Sequence, residues 1–192
     1  MMLRAILYLF LLAVPAACDR SGAVVVKEAS AEEKARVEVV GAGVAKGLME
    51  ALGSELRRAM EVGGPLTAIP LCQKIALPLT AAASDSPDVI AVRRTTLKPR
   101  NPANAATERD RVVLELMAMR SEPEVEIRRE GDAAHYYQPL IVQEVCLKCH
   151  GDPSTFPKEL SEVLAASYPA DKATGYVLGD LRGAIHVTIA IP

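Results

Sequence analysis

The stretch Ile185-His186-Val187-Thr188-Ile189-Ala190-Ile191 decides the fold, because aliphatic side chains alternate in it with His, Thr and Ala. Successive side chains of a β-strand point to opposite faces of the sheet, so the aliphatic residues share one face. The alternation therefore predicts a strand with one face in a hydrophobic core and His186 on the other face.

Earlier segments are predicted to form strands as well. Residues 89–92 are an apolar run that follows the turn sequence Ser84-Asp85-Ser86-Pro87. Val125 and Ile127 alternate with charged residues, Gly131-Asp132 makes a turn, and residues 134–142 return as a strand. Two such segments joined by a short turn are typical of an antiparallel hairpin.

Helices are predicted before and between these strands. Ser30-Ala31-Glu32-Glu33 is a capping box, which marks the start of a helix. The helix that follows carries apolar residues at spacings of three and four, namely Val37, Val40, Val44, Leu48, Leu52, Leu56 and Met60. Gly43 and Gly47 on this helix would let another element approach closely. Gly63-Gly64-Pro65 ends the helix, and a second one is predicted over roughly 66–82.

Two shorter helices are predicted from Thr107 to about Arg120 and over 157–166. Helices followed by hairpins with an inserted helix indicate an α+β domain with an antiparallel sheet behind long N-terminal helices.

The composition limits the function classes. A chain of 192 residues with 50% hydrophobic and 24% charged side chains is expected to form one globular domain. The formal net charge of −2 argues against a nucleic-acid partner. Aromatic residues make up only 4% of the chain, and Trp is absent.

The N-terminus has the layout of an export signal. Residues 1–17 contain one charge, Arg4, followed by an apolar run and then by small residues that lead to Cys18. The prediction is a lipoprotein signal with Cys18 as the lipidated residue, and ordinary cleavage near Ala16 or Ala17 is the alternative. Residues 18–29 are interpreted as a tether and 30–192 as the domain. The chain is thus expected in the periplasm, with the lipid as its sole membrane contact.

The segment Cys146-Leu147-Lys148-Cys149-His150 carries the chemistry. Two thiols three positions apart can each add to a haem vinyl group, and the histidine that follows can bind the iron. A second C-x-x-C pair, which a zinc site would need, is absent from the sequence. We therefore predict one covalent haem c, attached through Cys146 and Cys149, with His150 as an axial ligand.

The opposite axial ligand is less clear from residue patterns. Cys72 is a candidate, although its helical spacing with aliphatic neighbours equally suits a small buried hydrophobic residue. Met117 and Met119 are rivals, but a Met on an aliphatic helix is more often core filler. His135 is expected at the surface, and His186 on a solvent-facing or haem-facing side.

Several segments together resemble a family of periplasmic single-haem-c domains of PAS-like fold, long catalogued as a domain of unknown function. The matching stretches are Cys72-Gln73, Arg93–Asn104, Tyr136–Leu140, Cys146–Gly151, Tyr168–Tyr176 and Gly179–Ala184. The resemblance implies a PAS-like sheet flanked by N-terminal helices, a bound haem, and Cys72 as the distal ligand. The sequence departs from the family pattern after Asn104 and at His186, where a small residue is more usual.

A cluster of basic residues has two interpretations. Arg93, Arg94, Lys98 and Arg100 lie within eight positions, predicted to form a loop. They are either a solvated surface or partners of the haem propionates, to which Arg93, Arg94 and Arg100 can form bidentate hydrogen bonds.

These observations predict a redox or gas (CO or NO) sensor-type protein that signals to an unidentified protein partner. A thiolate opposite the imidazole would lower the iron potential. The alternative is a periplasmic electron carrier of the cytochrome c kind, exchanging electrons with an unidentified redox partner. No acid–base pair is evident, so an enzyme is not expected.

Overall fold

The computed structural model describes residues 30–191. The predicted signal segment 1–17, the lipidation site Cys18 and the tether 18–29 lie outside the described residues.

The chain begins with a long broken helix, α1 (Ala31–Ala82). Ser30 caps it through the predicted capping box, with its side chain accepting from the Glu33 amide. The predicted break is confirmed, since Gly63 and Gly64 have non-helical dihedral angles and Gly64 has φ 62° and ψ −154°. That region of backbone space is open almost only to glycine. The two predicted N-terminal helices are thus two halves of α1.

A four-stranded antiparallel sheet follows, in the spatial order β1-β4-β3-β2. Its strands are β1 (Val89–Thr95), β2 (Glu126–Glu130), β3 (Ala133–Ile141) and β4 (Leu181–Ala190). The α+β architecture and the predicted hairpin are confirmed. β1 is longer than expected, because Arg93 and Arg94, which the sequence analysis placed in a loop, pair with His186 and Ile185 of β4.

One face of the sheet packs against the first half of α1. This core holds Val37, Ala45, Leu48, Val92, Ala134, Tyr136, Ile185, Val187, Ile189 and Ile191. The close approach occurs at Gly41 rather than at Gly43 or Gly47. A Cβ atom on Gly41 would lie 2.3 Å from Cγ of Tyr136, whereas one on Gly43 or Gly47 would meet no atom within 4 Å. The tyrosine ring therefore packs directly on the helix backbone.

The opposite face is covered by α2 (Glu108–Ala118), with Val113, Leu114, Met117, Tyr137 and Ala184 in contact. His135 and His186 lie on this side of the sheet and are only 5% and 4% exposed. The prediction of a surface position for His135 was therefore wrong, and His186 faces a buried polar cluster rather than solvent. Both residues stand on internal strands, and the carboxylate of Asp110 on α2 lies 3.1 Å from His186 Nδ1.

Two further helices complete the domain, α3 (Glu144–His150) and α4 (Lys158–Ser167). The α4 helix packs on the second half of α1, where Ile69 contacts Leu160, Leu164 and Tyr168. Short 3-10 turns occupy Pro102–Asn104 and Pro153–Thr155. Within residues 30–191, no helix combines the length and the apolar character that crossing a bilayer requires.

Candidate haem-binding site

The Cys-x-x-Cys-His segment forms the last five residues of α3. Cys146 and Cys149 are three positions apart and therefore project from the same side of the helix. Both are free thiols that are partly exposed. Cys146 packs near Val142 and Ala173, while Cys149 packs near Ile69. The thiols thus lie between the end of β3 and the second half of α1, an arrangement that the sequence did not predict.

His150 is oriented by a backbone carbonyl. Its Nδ1 atom lies 2.6 Å from the oxygen of Ala173, which can only accept, so Nδ1 carries the proton. The lone pair is then on Nε2, the nitrogen free to bind a metal. Burial, with Arg100 and Arg182 nearby, lowers the pKa of His150 to about 3, so the ring is neutral. Tyr176 stands edge-on to it, with the ring centroids 6.2 Å apart.

A loop over residues 171–176 and α3 are tied together by main-chain hydrogen bonds. The amide of Gly175 donates to Gly151 O at 2.7 Å, and the amide of Tyr176 donates to His150 O at 3.0 Å. These bonds hold the loop against α3 and so fix the position of the Ala173 carbonyl, which orients the His150 ring. The imidazole is therefore positioned before any ligand arrives.

Arg100 holds the same loop and helix together. Its Nη2 donates to the carbonyls of Cys149 and Ala173, and its Nε donates to Asp171 Oδ2 at 2.9 Å. Both side chains of the ion pair are only 11% exposed. Arg100 was predicted as a propionate partner. In the structure its guanidinium joins α3 to the loop of residues 171–176.

Cys72 lies in the second half of α1, the part of the helix that packs near Cys149 through Ile69. Burial raises the pKa of its thiol, while Arg94 and Arg100 act in the opposite direction. Burial raises the pKa of Cys149 and of Tyr168, and Cys72 raises both further. Beside it, Gln73 Nε2 donates to Ser167 O at 2.6 Å and fixes α1 to α4. The structure therefore brings Cys72 near the Cys-x-x-Cys-His helix.

The two methionine rivals are elsewhere. Met117 is fully buried between α2 and the sheet, which is the core role that its helical setting suggested. Met119 is 74% exposed at the end of α2. Neither belongs to the hydrophobic clusters that contain Cys146 and Cys149.

Arg93 and Arg94 point to opposite faces of β1. Arg93 Nη1 lies 3.2 Å from Asp110 Oδ2 under α2, and its Nη2 donates to Ala105 O. The structure therefore does not bring Arg93 to the candidate site, because alternation along the strand turns it away. Arg94 faces α1, where its Nε donates to Thr80 Oγ1 at 3.1 Å. It is also near enough to Cys72 for the thiol to influence its pKa.

Sequence reasoning missed Arg182. Burial lowers its pKa, and Arg100 lowers it further. Its guanidinium carbon is 5.4 Å from the centroid of the Tyr176 ring, and its charge contributes to the lowered pKa of His150. The signal available in the sequence was its place in the Gly179–Ala184 stretch quoted for the family resemblance.

A larger cavity of about 530 Å³ opens beside the site. It lies between the glycine break of α1 and the segment from α3 to α4. Its lining includes Pro65, Leu66, Leu147, Phe156 and Leu160. Leu147 stands between the two cysteines of the Cys-x-x-Cys-His segment, so the cavity lies directly against α3.

The donor set fits a c-type haem. Two thiols project from one side of α3, the adjacent imidazole is neutral with Nε2 free, and partly buried arginines lie within its electrostatic reach. Fold and site together define an α+β domain with a Cys-x-x-Cys-His helix directly after β3. The chain belongs to the Tll0287-like family, whose model matches residues 24–190.

A solved structure supports this assignment. The crystal structure of the cyanobacterial haem protein Tll0287 aligns with a TM-score of 0.57 and 26% sequence identity, covering 84% of this chain and 97% of that chain. Among curated proteins, no significant match was found. The family resemblance stated from the sequence is therefore confirmed.

Proposed function

We propose that this protein binds one haem c, with Cys146 and Cys149 forming the thioether bonds and His150 Nε2 binding the iron. The observation that carries this proposal is the hydrogen bond of 2.6 Å between His150 Nδ1 and Ala173 O. It sets the tautomer and the ring orientation that an axial histidine needs. The relationship to a haem protein supports the same conclusion.

When bound, the haem supplies an iron that exchanges single electrons and that binds diatomic gases at an open axial position. The chain's own residues orient and shield this centre. Ala173 and Arg100 hold the axial histidine and its helix. The buried side of α1 restricts water around Cys149.

We further propose Cys72 as the second axial ligand. Its position near Cys149 supports this role. Burial raises the pKa of the Cys72 thiol, and the positive charges of Arg94 and Arg100 offset part of that effect. Thiolate ligation stabilises the ferric state and lowers the reduction potential. Release of Cys72 on reduction would open a position for CO or NO.

The proposed role is a periplasmic redox or gas sensor that signals to a protein partner, with Cys18 as its lipid anchor. Cys72 stands on a helix half that is joined to the rest of α1 through Gly63 and Gly64. A change of ligation at Cys72 would thus act on the second half of α1, which Gly63 and Gly64 separate from the first half. This observation favours sensing.

Electron transfer is the second candidate. Cys146 and Cys149 are partly exposed and Lys148 is exposed, so a haem attached there would have an edge near solvent. An accessible edge is what a carrier needs for exchange with a redox partner.

Haem attachment is tested by producing the full chain in cells that mature c-type cytochromes. The expected result is one haem per chain that survives denaturation and appears in the mass of the polypeptide. Cys146→Ser and Cys149→Ser should each lose one thioether bond. Cys72→Ser is the matched control, because it removes a thiol and leaves the attachment intact. A chain that matures without covalent haem would overturn the proposal.

Potential-controlled absorption spectra with and without CO separate the two roles. Sensing predicts CO binding to the reduced protein and, in Cys72→Ser, a changed ferric spectrum and a raised midpoint potential. Electron transfer predicts no CO binding and fast self-exchange. An unchanged spectrum and potential in Cys72→Ser would remove Cys72 from the iron.

A further inference from the structure

A second and smaller cavity, of about 90 Å³, lies between the end of α2 and the beginning of β4. Its apolar part is formed by Leu97, Leu114, Ala118 and Leu181. Its polar part is formed by Thr96, Lys98, Tyr176 and Arg182, and Gly183 completes the lining. The cavity is therefore amphiphilic, with both cationic side chains near the Tyr176 ring.

The two cations contact that ring. Lys98 Nζ lies 4.3 Å from the Tyr176 centroid, and the guanidinium carbon of Arg182 lies 5.4 Å from it. Their hydrogen bonds go to neutral oxygens. Arg182 Nη1 donates to Thr96 Oγ1 at 2.9 Å and to Lys98 O at 3.2 Å, and Lys98 Nζ donates to Thr174 O at 2.6 Å.

Neither cation has a carboxylate within ion-pair distance among residues 30–191. The lining of the cavity also contains no acidic side chain. Asp171, which lies near enough to influence Arg182, is already paired with Arg100 at 2.9 Å. The cavity thus has two positive charges and no negative one.

Partly buried cations without an anion are costly, because the charge loses hydration that no counter-charge replaces. An anion in the cavity would remove this cost. A cavity of about 90 Å³ holds several water-sized groups, since about 10–15 Å³ suffices for one water. It is therefore large enough for a carboxylate with a short hydrocarbon part, which would contact the leucine residues.

We propose that this cavity is a carboxylate-binding site built on Arg182 and Lys98. The carboxylate comes either from a propionate of the haem, in which case the inference rests on the proposed function, or from a small free acid such as formate or acetate. Arg182 would donate to the carboxylate from its guanidinium group, and Lys98 would add a point charge.

The test uses the full mature chain with its haem, the variant Arg182→Gln, and Arg57→Gln as control. Arg57 is an exposed arginine on α1, so the control makes the same charge change far from the cavity. Acetate and formate are titrated calorimetrically, and resonance Raman spectra record the propionate bending modes. Circular dichroism checks folding, and Lys98→Gln replaces Arg182→Gln if that variant is unfolded.

If the ligand is a free acid, acetate or formate binds to the unaltered protein, and Arg182→Gln weakens binding at least tenfold while Arg57→Gln does not. If the ligand is a propionate, the added acids do not bind, and the propionate modes shift in Arg182→Gln alone. The proposal is overturned when neither acid binds and the modes of both variants match those of the unaltered protein. A chain that matures without haem refutes the proposed function, and the titration still decides between a free acid and no site.

Discussion

His135 Nδ1 lies 2.9 Å from His186 Nε2, so a hydrogen bond between two imidazoles joins β3 to β4 beneath α2. His186 Nδ1 is in turn 3.1 Å from Asp110 Oδ1, and His135 Nε2 is 3.6 Å from Glu130 Oε2. The four side chains form a line from a fully buried carboxylate to one that is 46% exposed. This hydrogen bond needs an N–H on one ring and a lone pair on the other, so one proton lies between the rings, and a second would set two N–H groups against each other.

The first prediction concerns pH. Burial, together with His186 and Arg109, lowers the pKa of His135 to about 4, while Glu130 and Asp110 act in the opposite direction. In the unfolded chain the pKa returns to about 6.5. The unfolded state therefore binds more protons between these values, and stability falls as the pH falls through this window. We expect His135 to contribute a loss of about 2 kcal/mol in the free energy of unfolding between pH 7 and pH 5.

Urea denaturation at the two pH values measures this difference, with His135→Gln as the non-titrating control. The control should show a flatter pH profile. Identical profiles for the two proteins would show that His135 does not titrate in this way.

The second prediction concerns Asp110. Its carboxylate accepts from Thr95 Oγ1 and Tyr137 OH, pairs with Arg93, and takes part in the capping box at Thr107. Asp110→Asn removes a fully buried acceptor that also pairs with the 33% exposed Arg93, and the hydrogen bonds that it weakens are expected to cost roughly 1–3 kcal/mol. Asp88→Asn is the control, because Asp88 is 48% exposed in its pair with Arg36 and its loss should cost less than about 1 kcal/mol. Thermal denaturation distinguishes the two, and equal losses would contradict the prediction.

The third prediction compares two glycines on α1. Gly41→Ala places a methyl group against the Tyr136 ring and should destabilise the fold by about 1–3 kcal/mol through overpacking. Gly43→Ala meets no atom within 4 Å and gains helix propensity, so it should stabilise by about 0.5–1 kcal/mol. Opposite signs are expected in chemical denaturation, and equal effects would refute the proposed close approach.

The fourth prediction concerns Arg100, which joins α3 to the loop of residues 171–176. Arg100→Lys keeps the positive charge but loses the planar fork that reaches Cys149 O, Ala173 O and Asp171 together. We expect a loss of about 1–3 kcal/mol, because buried acceptors are left unpaired. Hydrogen exchange should become faster at the amides of Gly151 and Tyr176. Arg57→Lys, on the exposed surface of α1, should change neither quantity, and unchanged exchange in Arg100→Lys would show that this connection is dispensable.

Local signals made much of the fold predictable. Ser30 and Glu33 mark the start of α1, Gly63 and Gly64 mark its break, and the alternation around Val187 marks β4. In each case a few neighbouring residues determine the backbone conformation. The Cys-x-x-Cys-His segment was recognised for the same reason.

Features that depend on distant contacts were not predictable in this way. His135 and His186 are polar, and only the packing of α2 on the sheet makes them buried. Arg93 and Arg94 were predicted in a loop, yet α2 and α1 each provide a partner for one of them. Arg182 stood only within a stretch quoted for the family resemblance, and its role depends on residues that are far away in sequence.

The glycine break divides α1 into two segments that contact different parts of the domain. The half before Gly63 is fixed by the aliphatic core, whereas the half after Gly64 is fixed by Gln73 to α4 and by Thr80 to Arg94. Leu79, near the end of the second half, also packs on the core that contains Tyr136. A displacement at Cys72 would therefore be taken up partly at the glycine joint and passed partly to the sheet, so this half of α1 links the thiol to the centre of the domain.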